Sequence, residues 1–225
     1  GVDLDRLKAD EIIIRTVGDD LILTGQAPCG PLYAVYTFLE DQLGCRWWTA
    51  TESTIPVNRA VTVGELDIRY APVFFYRDLN LNRALKTDAF AARLKDNGHY
   101  AKISEEFGGY YNFAGFVHTF RTLLPPAKYF AAHPDWYALV DGKRTTAQMC
   151  LSNDEMVAEM ARNAIERIRN TKPHPGFISI SQNDWGGNCQ CDKCRAADAA
   201  EGSPAGLLLK TVNRVAAEIE QVYPD

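Results

Sequence analysis

The pattern of apolar and polar positions in the first 70 residues predicts a small α+β domain. Two segments rich in β-branched residues, 11–17 and 21–25, flank a short turn and predict a strand pair. Apolar residues then recur at helical spacing between 32 and 43. Short strands are further predicted at 45–49, 61–63 and 66–70. We therefore expect residues 1–70 to form a unit of their own, with a boundary at Ala71-Pro72.

After Pro72 the pattern changes to strands that alternate with helices. Strands are predicted at 74–80, 99–103, 148–151 and 177–181. Helices are predicted at 87–97, after the capping segment 152–154, and at 205–222. Repeated strand–helix units favour parallel strands with right-handed crossovers. The predicted fold class is therefore α/β, with the first half of a TIM (β/α)8 barrel over 71–225, and the chain is expected to be a fragment.

Charge and hydropathy exclude some classes of partner. The chain of 225 residues carries 24 Lys and Arg against 29 Asp and Glu, a formal net charge of -5. A nucleic-acid-binding protein or a protein of anionic membrane surfaces needs a basic face, and this balance argues against both. The sequence also lacks an apolar run of the roughly 20 residues that a membrane helix needs. We therefore expect neither nucleic acid nor membrane as a partner.

Polar and aromatic residues follow the predicted barrel strands, and the irregular region 105–146 contributes more of them. In a parallel barrel, chemistry takes place at the carboxyl ends of the strands. Arginine can bind hydroxyl or carboxylate groups with its planar fork, aromatic rings can stack on a sugar, and a partly desolvated Asp184 could act as a general acid. The candidate residues are Arg77, Asn80, Asn82, Lys102, Tyr110, Tyr111, His118, Asn183, Asp184 and Trp185.

Five of these candidates also have a structural interpretation, which the sequence leaves open. Arg77 and Asp78 could form an ion pair at the barrel mouth. His118 could be a hydrogen-bonded structural histidine, and Asp184 could serve the glycine-rich turn that follows it. Asn80 and Asn82 could simply end a strand.

The cysteines form the sharpest local pattern. Cys189, Cys191 and Cys194 lie within six residues, and Cys150 at a predicted strand end could be a fourth ligand. Four thiolates favour zinc, whereas disulfides in an exported protein or free thiols are the alternatives. Cys29 and Cys45 are predicted to be buried thiols that do not bridge each other. A helix would separate them by roughly 20 Å, too far for a disulfide.

Several segments resemble known families. Residues 30–40 and 44–48 resemble the small domain before the barrel in α-glucuronidases and β-hexosaminidases, and 71–78 is similar to the start of their first barrel strand. A second resemblance, to the bacterial family called domain of unknown function 4838, covers nearly the whole chain. The segments that carry it are 115–120, 133–139, 150–153 and 181–185 with the cysteines that follow.

The resemblance implies a glycoside-hydrolase-like protein that hydrolyses glycosidic bonds in a polysaccharide or oligosaccharide. Arg77 matches the sugar-binding arginine of hexosaminidases, and Asn183-Asp184 occupies the place of the Asn and general-acid Glu of α-glucuronidases. Asp184 departs from that pattern by one methylene. Because a glycosidase needs two carboxylates and the later strands are missing, this fragment is expected to be inactive alone.

In this reading, Arg77 and Asn80 hold the sugar, His118 binds a hydroxyl group or orients a carboxylate, and Trp185 stacks on the ring. Catalysis needs no cofactor, and zinc would be structural. The family resemblance implies a periplasmic or extracellular location. Two other classes stay open: a non-catalytic carbohydrate-binding protein on the same fold, and a metal-stabilised structural module.

Overall fold

The computed structural model describes residues 3–79 and 87–224. Its elements make a mixed α/β protein whose contacts define two compact units, Gly1–Asn112 and Phe113–Asp225. The predicted division into 1–70 and 71–225 rests on sequence pattern and resemblance, and it stays a prediction. Each unit is described by itself below.

The first unit is built on a three-stranded antiparallel sheet with strand order β2-β1-β5. Its strands are β1 (Ile12–Val17), β2 (Asp20–Gly25), β3 (Arg46–Trp47), β4 (Ser53–Thr54) and β5 (Asp67–Tyr70). Its helices are α1 (Gly30–Asp41) and α2 (Asp88–Arg93). The predicted strand pair and the first helix are confirmed. The segment 61–63 is not a strand, since β5 pairs with β1 instead.

Side-chain alternation along β1 explains how the sheet meets the helix. Ile12 and Ile14 are buried together with Tyr33 and Phe38 of α1. The sheet and helix approach each other so closely that a Cβ atom on Gly25 would lie 2.8 Å from the Cα atom of Gly30, the first residue of α1. Only glycine fits at such a contact, which fixes where the helix begins relative to the hairpin.

The second unit contains a β-hairpin and a set of helices. Its elements are α3 (Phe120–Leu123), α4 (Pro126–Tyr129), β6 (Tyr137–Val140), β7 (Lys143–Met149), α5 (Asp154–Asn170), α6 (Asp192–Glu201) and α7 (Pro204–Glu220). Asp141 and Gly142 connect β6 to β7 with φ values of 49° and 77°. Two positive φ angles are typical of the tight turn that matches the twist of a hairpin.

Helix α5 forms the centre of the second unit. Asn153 caps it, because the side chain accepts a hydrogen bond of 3.0 Å from the backbone N–H of Met156. Met156 and Met160 are completely buried against Tyr137 of the hairpin and Val215 of α7. The predicted cap, the predicted helix and the predicted final helix are therefore confirmed.

Three of the four predicted barrel strands are absent from the described residues. The described part of 74–80, the segment 99–103 and the segment 177–181 do not form regular strands. The fourth, predicted at 148–151, overlaps β7, which pairs antiparallel with β6. The described residues contain no closed barrel, and the predicted half barrel is not confirmed.

Side chains explain why regular ladders do not form there. The N–H of Arg77 donates to the side-chain oxygen of Asn97 at 2.8 Å, and the N–H of Ser181 donates to the hydroxyl of Thr119 at 3.1 Å. These backbone donors are therefore occupied by side chains instead of neighbouring strands. One parallel bridge, between Phe113 and Phe177, is formed in the second unit.

None of the described helices combines the length and the apolar character that crossing a bilayer requires.

Candidate functional site

Four cysteines of the second unit lie together, as the sequence predicts. Cys150 directly follows β7, Cys189 and Cys191 lie in the loop before α6, and Cys194 lies in the first turn of α6. The sulfur of Cys150 is 3.7 Å from that of Cys191 and 3.9 Å from that of Cys194. All four sulfurs lie within 4.8 Å of one another. None of these cysteines forms a disulfide, which would need a separation of about 2.05 Å.

Polar groups surround the four sulfurs. The N–H of Leu139 donates to the sulfur of Cys189 at 3.3 Å, and the hydroxyl of Ser152 lies 3.1 Å from the sulfur of Cys194. A guanidinium nitrogen of Arg144 lies 4.0 Å from the sulfur of Cys189. These groups can stabilise negative charge on the sulfurs, as outer partners of metal ligands commonly do.

The thiols also perturb each other. Hydrogen bonds from Cys150 and Cys194 lower the pKa of Cys189 to about 3, and the same three-thiol contact raises the pKa of Cys194. One thiol of the group therefore ionises readily. Since thiolates are the form that binds metals, the cluster has the chemistry of a metal site.

A second group of candidates lies at the surface of the second unit. His118 Nε2 is 3.8 Å from a carboxylate oxygen of Asp184, and the ring nitrogen Nδ1 is 2.9 Å from the carbonyl oxygen of Gln182. His118 has φ 55°, a conformation that non-glycine residues rarely adopt, and its N–H donates to the hydroxyl of Ser181. The structure therefore brings His118 and Asp184 together.

Trp185 extends the same surface. Trp185 is 59% exposed, and the guanidinium of Arg121 lies 5.8 Å from the centre of its indole ring. The Asp184 side chain is 86% exposed. The partial desolvation that would favour a general acid is therefore not present around Asp184 in this structure.

Asn183, by contrast, is buried, with 1% of its surface exposed. Its side-chain oxygen accepts a hydrogen bond from the N–H of Arg121, and its side-chain nitrogen donates to the carbonyl oxygen of Ala147 at 2.7 Å. The amide thus ties three segments together instead of facing a ligand. Its predicted catalytic role stays a prediction.

Sequence analysis missed two residues that contact the residues of this surface, Arg121 and Gln148. Gln148 donates to the carbonyl oxygens of Asn183 and Trp185 from the strand β7. The signal available in the sequence is a polar side chain inside the apolar strand 148–151. The contact itself spans 35 and 37 positions, so local pattern could not identify its partners.

In the first unit, Arg77 is engaged by protein acceptors. It donates to the carboxylate of Asp10 at 2.7 Å and to the carbonyl oxygens of Lys95 and Phe74, both at 2.8 Å. The ion pair that the sequence suggested with Asp78 is instead formed with Asp10. A sugar bound by Arg77 would have to compete with these contacts.

Next to Arg77, three residues form a cluster that sequence analysis did not single out as a group. The hydroxyl of Tyr76 donates to the carboxylate of Asp78 at 2.7 Å and lies 2.7 Å from His99 Nδ1. That nitrogen is 2.9 Å from the same carboxylate oxygen. Burial, with the Asp78 carboxylate adding to it, raises the pKa of Tyr76, so its hydroxyl stays a hydrogen-bond donor.

Tyr110 and Tyr111 line a cavity of about 230 Å³ in the first unit. Asp10, Cys29 and Asn97 share its wall. Lys102 is exposed and is not part of this lining. Asn80 and Asn82, the remaining candidates, lie outside the described residues.

Comparison with models of protein families identifies the family of this chain. The family model described as "Domain of unknown function (DUF4838)" matches residues 47–225, and the chain therefore belongs to this family. No curated protein and no solved structure matches the chain.

Proposed function

We propose that this member of the DUF4838 family is part of a protein that binds a polysaccharide or oligosaccharide and hydrolyses its glycosidic bonds. The observation that carries the proposal is the exposed surface formed by His118, Asp184 and Trp185. We call it the 118–185 surface. It combines an aromatic ring, a carboxylate and an imidazole, which are the groups that recognise the apolar faces and hydroxyl groups of sugars.

Each residue of the 118–185 surface has a separate role in this proposal. Trp185 stacks on a sugar ring, while Arg121 lies over the indole and stiffens it. His118 binds a hydroxyl group or orients the Asp184 carboxylate, from which it is 3.8 Å away. Asp184 donates a proton to the leaving oxygen, and bound substrate supplies the desolvation that an acid of this kind needs.

Backbone contacts support the finer fold prediction, the first half of a TIM barrel. In the first unit, the N–H of Asn97 donates to the carbonyl oxygen of Arg77, and the N–H of Tyr111 donates to that of Asn97. In the second unit, Ala114 and Ser179 make the parallel contacts that flank the bridge at Phe113 and Phe177. This order of hydrogen-bonded segments is the one expected of successive parallel strands. The strands would have bounds that differ from those predicted from the sequence.

The proposed substrate also implies where the protein is located and which other classes of partner we do not expect. A polysaccharide outside the cell requires a periplasmic or extracellular protein, as the resemblance implies. The net charge of -5 fits a neutral glycan better than nucleic acid or an anionic membrane.

The test uses the full-length parent protein on glycan arrays, polysaccharides and aryl glycosides. Asp184→Asn should lower reducing-sugar release by at least about 100-fold, because the amide cannot donate the proton. Trp185→Ala should weaken binding by about tenfold through lost ring contact. Asp19→Asn and Trp48→Ala are matched controls, since both residues are exposed and belong to the first unit.

Two outcomes would contradict this proposal. Unchanged release by Asp184→Asn would remove Asp184 as the acid. Binding without release across the panel, lost in Trp185→Ala, would identify a non-catalytic carbohydrate-binding protein.

A second candidate function is that of a metal-stabilised module, and the sulfur geometry favours it. Four thiolates at about 2.3 Å from a tetrahedral zinc ion have sulfur–sulfur distances of about 3.8 Å. The distances of 3.7 Å and 3.9 Å from the Cys150 sulfur to those of Cys191 and Cys194 fit that value. Cys150, Cys189, Cys191 and Cys194 would hold the ion, which would supply a cross-link between β7 and α6.

Metal analysis of the purified chain tests this second candidate. We expect one zinc ion per chain, lost in Cys191→Ser and kept in Cys45→Ser, a buried cysteine outside the cluster. Cobalt should replace zinc and give the absorption of a tetrahedral thiolate complex. A metal-free chain in which only two of the six cysteines titrate as thiols would contradict this candidate and identify two disulfides.

A further inference from the structure

Gln148 occupies an unusual position in the second unit, because it is a buried amide at the end of a strand. Only 4% of its surface is exposed. Its Nε2 donates to the carbonyl oxygen of Asn183 at 2.8 Å and to that of Trp185 at 2.5 Å. A side-chain amide carries two hydrogens, so these two bonds use both. Asp184 and the Cα atom of Trp185 lie between these two carbonyls.

Asn183 returns the contact to the same strand. Its side-chain nitrogen donates to the carbonyl oxygen of Ala147, the residue before Gln148. Its side-chain oxygen accepts from the N–H of Arg121. Two neighbouring positions of β7 are thus bonded to the segment 183–185 by three hydrogen bonds.

This segment lies outside regular secondary structure. Residues 182–190 belong to no helix or strand, and Gly186 and Gly187 follow directly, the latter with φ 92°. Glycines allow many backbone conformations, so they do not restrain the chain that precedes them. The side chain of Gln148 therefore replaces the ladder that a regular strand would have provided.

We infer that Gln148 is a positioning residue, which fixes the peptide group before Asp184 and the peptide group after Trp185 and thereby sets the directions of the Asp184 and Trp185 side chains. The inference rests on the proposed function of the 118–185 surface. Gln148 itself does not reach the surface and does not contact a bound sugar. Its effect on binding and turnover passes through the backbone of 183–185.

Two variants separate the loss of the donors from the effect of charge. Gln148→Glu replaces the donor amide with a carboxylate that repels both carbonyls, and Gln148→Met removes the donors without adding charge. Gln221→Glu is the control, since Gln221 is exposed at the end of α7. We expect both Gln148 variants of the full-length protein to bind glycan at least about tenfold more weakly, with no change in the control.

A structural measurement accompanies the binding assay. The four tryptophans are replaced by 5-fluorotryptophan, and the fluorine resonance of Trp185 is assigned from Trp185→Phe. Both Gln148 variants should shift or broaden this resonance, while those of Trp47, Trp48 and Trp136 keep their positions. Preserved resonances of those three tryptophans show that the variant is folded, and Gln148→Met decides the question if Gln148→Glu is unstable.

An unshifted Trp185 resonance with unchanged binding would overturn the inference. If the wild-type protein binds no glycan, the proposed function fails, but the fluorine resonance still decides whether Gln148 sets the direction of Trp185. The two failures are therefore distinguishable.

Discussion

The sulfur atoms of Cys150 and Cys191 lie 3.7 Å apart, although the two residues are 41 positions apart in the sequence. This distance is nearly twice the length of a disulfide bond and close to the edge of a zinc tetrathiolate. Cys150 ends the hairpin strand β7, whereas Cys191 precedes α6. The contact therefore joins the end of the hairpin to the segment that leads into α6.

Removal of metal should destabilise the second unit. Because the binding energy of a structural metal is also folding energy, a strong chelator should lower the melting temperature of the wild-type protein. Circular dichroism with and without chelator measures the shift. Cys194→Ser should melt at the lower temperature in both conditions, and Cys45→Ser should still respond to chelator. A melting temperature that responds to reductant but not to chelator would indicate disulfides instead.

Loss of the cap of α5 should cost about 1 kcal/mol of unfolding free energy. Asn153→Ala removes the acceptor for the N–H of Met156 and the hydrogen bond from Asn153 to Asp135 at 2.8 Å. Urea unfolding measures the change. Asn170→Ala, at the exposed end of the same helix, is the control and should change stability by a few tenths of a kcal/mol at most. Equal effects of both variants would contradict the capping role.

The acid stability of the second unit should depend on Glu159. The hydroxyl of Tyr129 donates to one carboxylate oxygen of Glu159 at 2.7 Å, and this bond, with a further one from Arg162, lowers the pKa of Glu159. A lowered pKa contributes stability above the ordinary value of 4.5, and that stability is lost as the pH falls through the folded pKa.

Tyr129→Phe should therefore raise the pKa of Glu159, and NMR titration of the carboxyl group measures it. The same variant should flatten the loss of stability below pH 4.5. Tyr223→Phe is the control, since Tyr223 lies in the C-terminal segment, after the end of α7. An unchanged pKa in Tyr129→Phe would show that Arg162 alone sets it.

Elements with local signals could be predicted from the sequence. The strand pair β1–β2 has β-branched strands on either side of a turn, and α5 has Asn153 immediately before its amphipathic face. The cysteine cluster was predictable because thiols have few roles at such close spacing. In each of these cases the residue types are specific to one structural context.

The remaining features depend on partners that are far away in the sequence. The strand predicted at 148–151 begins at Lys143, because Asp141-Gly142 forms a hairpin turn whose signal lay inside a region interpreted as irregular. Helix α6 was missed because its residues were interpreted only as a cysteine loop. An asparagine in the sequence does not reveal whether it is buried or exposed. Asn183 is buried and is hydrogen-bonded to Ala147, which is 36 positions away.

Alkaline stability of the first unit should depend on Cys29. Its thiol is buried and donates to the carbonyl oxygen of Gly108 at 3.5 Å. Burial, reinforced by the nearby Asp10 carboxylate, raises the pKa of Cys29 from 9.0 to about 11. The folded state therefore holds this proton more tightly than the unfolded state does. The associated stability is present below pH 9 and is lost as the pH rises to about 11.

The loss should amount to up to about 3 kcal/mol between pH 8 and pH 11, since each pKa unit corresponds to about 1.4 kcal/mol. Urea unfolding of the reduced protein at both pH values measures it. Cys29→Ser cannot ionise in this range and should lose less stability, while Cys45→Ser should behave as the wild type. Part of the loss should persist in Cys29→Ser, because burial also raises the pKa of the neighbouring Tyr33. Identical losses in Cys29→Ser and the wild type would show that the Cys29 thiol does not control the loss of stability between pH 8 and pH 11.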